Sequence, residues 1–289
     1  MKNVAPVCAN TIVNERTKEW VPKSFEDFLQ ELQRIESLFN GNGKLLVFRG
    51  HRQREWLLDA TFVRSCKSIL FGLDAHSRFS KRLAESLDLH RVLLNLFLLK
   101  FGVLVCPSSE LAELESAHDI DPWFELMKRV QQNPDEMQDG HFPIKGTNLL
   151  DWTQSSDVAL YFANDSRNGS GALYICDATA TGKTLQVISV GEILEKMNME
   201  GNAGKALGVP LMFHPAQQIL NQRAKNQQAI YFAQMEFRVD LETIWREQEK
   251  ALRDETIVLK LVLPNGTESQ VKEYLLRKEI TAEFLYPNG

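Results

Sequence analysis

An arginine at the end of a short apolar run is the first feature of this sequence that could do chemistry. The run Leu45–Phe48 leads into Arg49, Gly50 and His51. The guanidinium group offers a planar fork of donors that matches phosphate and carboxylate groups, and the glycine lets another group approach the backbone closely. Arg49 and Gly50 are therefore predicted to hold an anion. The alternative is a structural arginine paired with a core carboxylate such as Asp151.

A second polar cluster lies in the middle of the chain. Asp151, Trp152 and Thr153 follow two leucines and precede Asp157–Ala163, which has the pattern of a short helix. The first N–H groups of a helix have no partner within the helix, so they favour a phosphate or a ribose hydroxyl. The cluster is predicted to bind such a group, with Trp152 stacking on a flat ring. The alternative is a plain helix cap in which Trp152 fills the core.

Two adjacent glutamines form the third cluster. Gln227 and Gln228 precede the strand pattern Ala229–Ala233. Because side chains alternate between the two faces of a strand, one of the two amides is expected to point inward. A buried amide must find hydrogen-bond partners. A ligand is one such partner, and a backbone turn is another.

The elements that must position these clusters differ between the two halves of the chain. In the first half, Ser24 and Asp27 begin an amphipathic pattern typical of a capped helix, and a strand is predicted to end at Arg49 and Gly50. The second half carries short apolar runs bounded by polar residues. The predicted helices lie at 24–39, 77–101, 111–130, 157–163 and 271–277, and the predicted strands at 44–48, 147–151 (strand or turn), 171–176, 229–233 and 257–263.

This order of elements predicts an α+β fold rather than a regular alternation of strands and helices. The chain has 289 residues, of which 44% are hydrophobic, and shows no internal repeat. We expect a single domain over residues 24–289 that follows a loosely ordered segment, residues 1–23. A helical and acidic insert is expected near residues 108–139.

The composition excludes several classes of protein. The net charge of −5 argues against indiscriminate nucleic-acid binding. The cysteines are far apart and no His or Cys cluster has metal-ligand spacing, so a reducing compartment and no metal site are predicted. The first residues lack the apolar core of a signal peptide, and the longest apolar run, Val92–Val105, is too short to span a bilayer. We expect a cytoplasmic protein without a membrane partner.

Charge is distributed unevenly along the chain. Lys44–Lys100 contains eleven Lys and Arg residues but five Asp and Glu residues, whereas Phe101–Gly140 contains nine acids and two bases. A basic segment of this kind favours a polyanionic ligand such as RNA or DNA. The alternatives are two segments that pack on each other, or solvated helix faces of opposite sign.

The three clusters, in this order, resemble the FRG domain family. That family has an FRG motif followed by a Trp, an LLDWT segment leading into a helix that ends ALYFA, a Q-Q-G-x-F stretch and a short closing tail. Here the counterparts are Phe48–Gly50, Leu149–Ala163, Gln227–Tyr231 and Glu283–Gly289. The resemblance covers about residues 24–289. It departs at Asn148, where the family usually has Arg, and at Ala229, where it usually has Gly.

At a coarser level the FRG pattern resembles the ADP-ribosyltransferases, which implies a mixed, mainly antiparallel sheet and NAD as a substrate. The resemblance assigns the catalytic residues to Arg49, Thr153 and Gln228, with Glu236 in reserve. Arg49 would pair with the pyrophosphate, Thr153 would brace the nicotinamide ribose, and Trp152 or Tyr161 would stack near the nicotinamide. The NAD-binding residues implied are Arg49, Gly50, Thr147, Asp151, Trp152, Tyr161 and Gln227.

The resemblance implies one of two functions. The first is an NAD-dependent transferase that modifies a nucleic acid or a protein, as a toxin or phage-defence effector restrained by an antitoxin or other inhibitor protein. The second is a non-catalytic module that binds a nucleotide or a nucleic-acid end. A metal-dependent nuclease is disfavoured, because no pair of carboxylates plus a lysine has the required spacing.

Overall fold

The computed structural model describes residues 11–14, 18–40, 44–100, 121–132, 142–179, 211–213, 221–252 and 256–287. These residues form one α+β domain around a mixed, mainly antiparallel sheet, as predicted. The described strands are β1 (Ile12–Asn14), β2 (Glu19–Val21), β3 (Leu46–His51), β4 (Leu149–Thr153), β5 (Gly171–Asp177), β6 (Leu211–Phe213), β7 (Ala229–Ala233) and β8 (Val258–Leu263). The order across the sheet is β1-β2-β8-β5-β3-β4-β7-β6. The β2–β8 pair is parallel and the other pairs are antiparallel.

Helices cover both faces of the sheet. The described helices are α1 (Phe25–Asn40), α2 (Thr61–Phe71), α3 (Lys81–Ala84), α4 (Leu87–Leu99), α5 (Asp121–Gln132), α6 (Ser156–Asn164), α7 (Gln222–Asn226), α8 (Leu241–Ala251), α9 (Glu268–Arg277) and α10 (Ala282–Leu285). Helices α1, α6 and α9 share one apolar cluster with alternate residues of β3, β5 and β8. The intervening residues of these strands join α8 in a second cluster. A third cluster unites α2, α4 and α5 with β4 and β7.

Local side-chain bonds explain where two of the helices begin. At α1, the hydroxyl oxygen of Ser24 accepts a hydrogen bond from the backbone N–H of Asp27 at 3.0 Å, as the capping pattern predicted. At α6, Ser155 caps the helix by accepting from the backbone N–H of Val158 at 3.3 Å. The helix therefore starts directly after β4 and keeps the two elements in a fixed relation.

Three features differ from the sequence predictions. Ile12–Asn14 and Glu19–Val21 form strands in a segment that was expected to be loosely ordered. The helix predicted over residues 77–101 is divided into α3 and α4, because Ser86 caps α4 by accepting from the backbone N–H of Leu89 at 3.2 Å. Arg49 and Gly50 lie inside β3 rather than beyond its end, paired with Tyr174 and Leu173 of β5. Most of the predicted insert near 108–139 lies outside the described residues.

Candidate functional site

A cleft with a volume of about 450 Å³ lies where β3 and β4 meet. Its walls include parts of β3, β4, β7, α2, α5, α6 and α7, together with Tyr286 after α10. Phe48 of β3 pairs with Thr153 of β4, so Arg49, the residue after Phe48, and Thr153 come from adjacent strands. The structure therefore brings these two residues to one cleft, although they are far apart in sequence.

Arg49 is held at two points of its guanidinium group. Its Nε–H donates to Nε2 of His51 at 3.1 Å, and Nη1 donates to the backbone carbonyl of Asp151. Burial, partly offset by the attraction of Asp151, lowers the pKa of Arg49 to about 10, so the group remains cationic at neutral pH. Two of its five N–H donors are used in these bonds, which leaves the others for an anion in the cleft.

The carboxylate of Asp151 lies on the floor of the cleft. Its Oδ1 accepts from Nζ of Lys128 at 2.9 Å, and 58% of the side-chain surface of Asp151 remains open to the cleft. Partial burial among the protein walls by itself raises the pKa of this carboxyl. The attraction of Lys128 and Arg49 outweighs that effect and lowers the pKa below its ordinary value. Asp151 is therefore ionised at neutral pH.

Cationic side chains outnumber carboxylates around the cleft. The lining Lys and Arg residues are Arg49, Arg52, Arg64, Lys128 and Arg223, and the lining carboxylates are Asp151 and Asp165. Five cations against two carboxylates leave a local charge of +3. Walls of low polarisability around such a group of charges concentrate its field. The cleft is therefore suited to an anionic ligand.

Arg64 of α2 retains unused donor capacity beside the cleft. Its Nη2 donates to Oγ1 of Thr61 at 2.9 Å. No described residue accepts a hydrogen bond from its buried Nε–H. An unpaired buried donor is costly, and an anion in the cleft would offer it an acceptor.

Aromatic rings complete the walls and hold two of the cations. The guanidinium of Arg223 lies 4.7 Å from the ring centre of Tyr286, and Nζ of Lys128 lies 4.5 Å from that of Tyr231. Trp56 stacks on His76, with 4.6 Å between the ring centres. These contacts restrict where the charges can move.

Gly50 is required for packing between β3 and α6. A Cβ atom at this position would lie 1.9 Å from the carbonyl oxygen of Ala159 and 2.6 Å from the backbone nitrogen of Ala163. Only a residue without a side chain permits this approach. Gly50 was predicted to contact a bound cofactor, and although it borders the cleft, its geometry is explained by the helix behind it.

Of the two glutamines predicted at the site, Gln227 borders the cleft and Gln228 does not. Gln227 borders the cleft, and its backbone carbonyl accepts from Oγ1 of Thr153 at 2.6 Å. Gln228 is exposed, has a positive φ of 44° and does not border the cleft. The prediction that Gln228 converges with Arg49 and Thr153 is therefore wrong. Glu236, the reserve candidate, is bound to Arg238 away from the cleft.

Three predicted ligand contacts serve the core instead. The ring of Trp152 is buried between Phe232 and Trp245, at centroid distances of 5.4 and 5.6 Å, so it cannot stack on a ligand. Thr147 is fully buried, and its Oγ1 accepts from the backbone N–H of Leu149 at 3.2 Å. Tyr161 packs edge-on against Phe162 outside the cleft. Trp152 therefore fills the core, as the alternative interpretation expected, whereas Asp151 and Thr153 of the same motif border the cleft.

The basic segment 44–100 contributes fewer charges to the cleft than its composition indicates. Arg54 forms two hydrogen bonds to Glu19, at 3.0 and 2.8 Å. Lys67 is buried against Asp59. Lys128 and Arg223 supply charge from other parts of the chain. No sequence pattern indicated these two residues, because each lies on a helix whose position is set by packing.

Among the described residues, no group of three or more His, Cys, Asp or Glu side chains is placed to hold a metal ion. No described helix is long and apolar enough to cross a membrane. Comparison of the chain with protein-family models, with curated proteins and with solved structures found no match. The resemblance to FRG domains and ADP-ribosyltransferases therefore stays a prediction from the motifs.

Proposed function

We propose that the chain binds NAD in this cleft and transfers ADP-ribose from it to a nucleic-acid or protein acceptor. The observation that carries the proposal is the group of five cationic side chains that line the cleft together with the carboxylate of Asp151. The cations suit the pyrophosphate bridge of NAD, and the volume of about 450 Å³ is typical of small-molecule sites.

The carboxylate of Asp151 takes the role that the sequence had given to Gln228. In the transfer, the bond between the ribose carbon and the nicotinamide nitrogen breaks, and its electron pair leaves with nicotinamide. The acceptor then forms a bond to that carbon, and its proton passes to water. Positive charge develops on the ribose as the bond breaks, and an ionised carboxylate stabilises it more strongly than a neutral amide. Gln227 borders the same cleft and offers its side-chain amide oxygen to a ribose hydroxyl, while the hydroxyl of Thr153 holds the backbone of Gln227 in place.

One observation favours the second function, a binding module without catalysis. Lys128 already neutralises Asp151 at 2.9 Å, so the carboxylate is less available to a developing charge. The same cations would hold a nucleotide or the phosphate of a nucleic-acid end equally well. If the chain is an active transferase, it would act as a toxin or defence effector, and a cell producing it would need an inhibitor protein.

The test uses purified protein and labelled NAD, with RNA, DNA or cell lysate as the acceptor. Asp151→Asn is expected to keep NAD affinity within about threefold and to lose roughly a hundredfold or more of turnover, the usual effect of removing one electrostatic contact to a transition state. Asp88→Asn, an exposed carboxylate on α4, is the matched control. Tight NAD binding without turnover in the unmodified protein would favour the binding module. Absence of NAD binding would refute the transferase and would also exclude NAD as the nucleotide that a binding module holds.

A further inference from the structure

We infer that His51 is a positioning residue that accepts a hydrogen bond from Arg49 and fixes the guanidinium group for anion binding. The inference rests on the proposed role of Arg49 in holding the anion. The sequence pattern gave His51 no role, although it follows the Arg-Gly pair directly. In the structure it borders the cleft and is 5% exposed.

The hydrogen bonds of His51 determine which of its ring nitrogens carries the proton. Arg49 has only donors, so Nε2 of His51, at 3.1 Å from Nε of Arg49, must be the acceptor. The proton of the neutral ring therefore lies on Nδ1, which donates to the backbone carbonyl of Trp56 at 3.3 Å. A neutral imidazole with this tautomer links a fixed backbone group to the guanidinium.

The surroundings of the ring hold it in this orientation. The hydroxyl of Tyr174 donates to the same carbonyl of Trp56 at 3.2 Å. The rings of Tyr174 and Trp56 meet the imidazole edge-on, with centroid distances of 5.2 and 6.0 Å. Because strands β3 and β5 pair at Arg49 and Tyr174, the support comes from the sheet itself. Arg49 is therefore held by its place in β3 and by its bond to the Asp151 carbonyl of β4. His51, which packs against Tyr174 of β5, holds it at a further point.

Protonation of His51 would act against anion binding. A protonated ring has no acceptor for Arg49 and would place a second positive charge beside it. Burial holds the pKa of His51 well below its ordinary value, and the charged groups that act on the ring lower it further, because Arg49 of β3, Arg64 of α2 and Lys260 of β8 are all cationic. Tyr174 of β5 stays neutral, since its pKa is raised by burial. A histidine that contacted the anion directly would instead strengthen binding when protonated.

The first test is a double-mutant cycle read by calorimetry with two probes, NAD and inorganic pyrophosphate. His51→Leu is expected to weaken both by about tenfold, the value of one hydrogen bond. His51→Gln, which keeps an acceptor near Arg49, should restore most of the affinity. In an Arg49→Ala background the His51 variants should have no further effect. If His51→Leu reduced the affinity equally in the original protein and in Arg49→Ala, at matched melting temperatures, the inference would be overturned.

The second test needs no ligand and separates this inference from the proposed function. Nitrogen-15 NMR of the histidine side chains reports which ring nitrogen carries the proton. We expect the Nδ1–H tautomer for His51, and a shift of its Nε2 resonance in Arg49→Ala. An Nε2–H tautomer would refute the inference even if NAD binds. The expected tautomer without NAD or pyrophosphate binding would support the His51–Arg49 contact and would count against the proposed function alone.

Discussion

Oγ1 of Thr153 donates a hydrogen bond to the backbone carbonyl of Gln227 at 2.6 Å, which joins the end of β4 to the turn before β7. The backbone N–H of Gln154 donates to the carbonyl of Gln228 at 3.0 Å in the same turn. Gln228 itself adopts a positive φ of 44°. These bonds direct Gln227 to the cleft, while Gln228 remains exposed. Thr153 thereby positions the glutamine that borders the site.

Substitutions at Gln228 should therefore leave NAD turnover unchanged. Gln228→Ala and Gln228→Glu are expected to keep turnover within about twofold of the original, since surface changes of this kind are nearly neutral. Gln228→Gly should raise the free energy of unfolding by about 1 kcal/mol, because a left-handed backbone strains residues other than glycine. Turnover assays and urea unfolding measure both effects. A large loss of turnover in Gln228→Ala, with normal stability, would return this residue to the site.

Replacement of Arg49 should weaken binding of the pyrophosphate group. The guanidinium is expected to supply two charge-assisted hydrogen bonds of about 1.5 to 3 kcal/mol each, so Arg49→Ala should reduce NAD turnover roughly a hundredfold or more. Arg49→Lys keeps the charge without the fork and should be intermediate. Arg82→Ala removes an exposed arginine of α3 as a control. Full turnover in a well-folded Arg49→Ala protein would end the proposal.

Any side chain at position 50 should separate β3 from α6. A Cβ there would lie 1.9 Å from the carbonyl oxygen of Ala159, and neither backbone can move without disturbing the sheet. Gly50→Ala is therefore expected to cost about 3 kcal/mol or more. Gly72→Ala, which meets no atom within 4 Å but has a φ of +60°, should cost about 1 kcal/mol. Similar melting temperatures for the two variants would show that the contact at Gly50 is not close.

Acid should destabilise the fold partly through Glu236. Burial alone would raise the pKa of this carboxyl, but hydrogen bonds from Arg238, together with the imidazole of His90 at 3.6 Å, lower it from 4.5 to about 2. A carboxyl whose pKa is lower in the folded than in the unfolded state stabilises the fold at pH values above its unfolded-state pKa. That stability is lost as the pH falls toward the folded-state pKa. Once the pH is below the folded-state pKa, the free energy of unfolding should have fallen by about 3 kcal/mol.

The measurement is urea unfolding of Glu236→Gln and the original protein between about pH 6 and pH 3. The variant should be less stable at the upper end, and the difference should shrink toward the lower end. Glu55→Gln, at an exposed position, is the control. A difference that stays constant with pH would mean that Glu236 does not carry this acid sensitivity.

The sequence by itself determined five of the eight described strands and several helices. Periodicity and helix caps are local properties, so Ser24 marked the start of α1, and the strand pattern Ala229–Ala233 coincides with β7. It also identified Arg49 and Thr153 as polar residues beside apolar strands, and the structure places both at one cleft. Ser86 could have been recognised as a helix cap in the same way, but the apolar spacing continues across it and predicted one long helix.

Only the tertiary structure decided which polar residues meet. Burial of Trp152 depends on Phe232 and Trp245, which come from β7 and α8, and local sequence does not contain that packing. The choice between Gln227 and Gln228 depends on a bond to Thr153 across two strands. Lys128 reaches Asp151 because α5 packs beside β4. The chemistry of the cleft is therefore set by long-range pairing, because electrostatic and hydrogen-bond partners are fixed by distance in space and not along the chain.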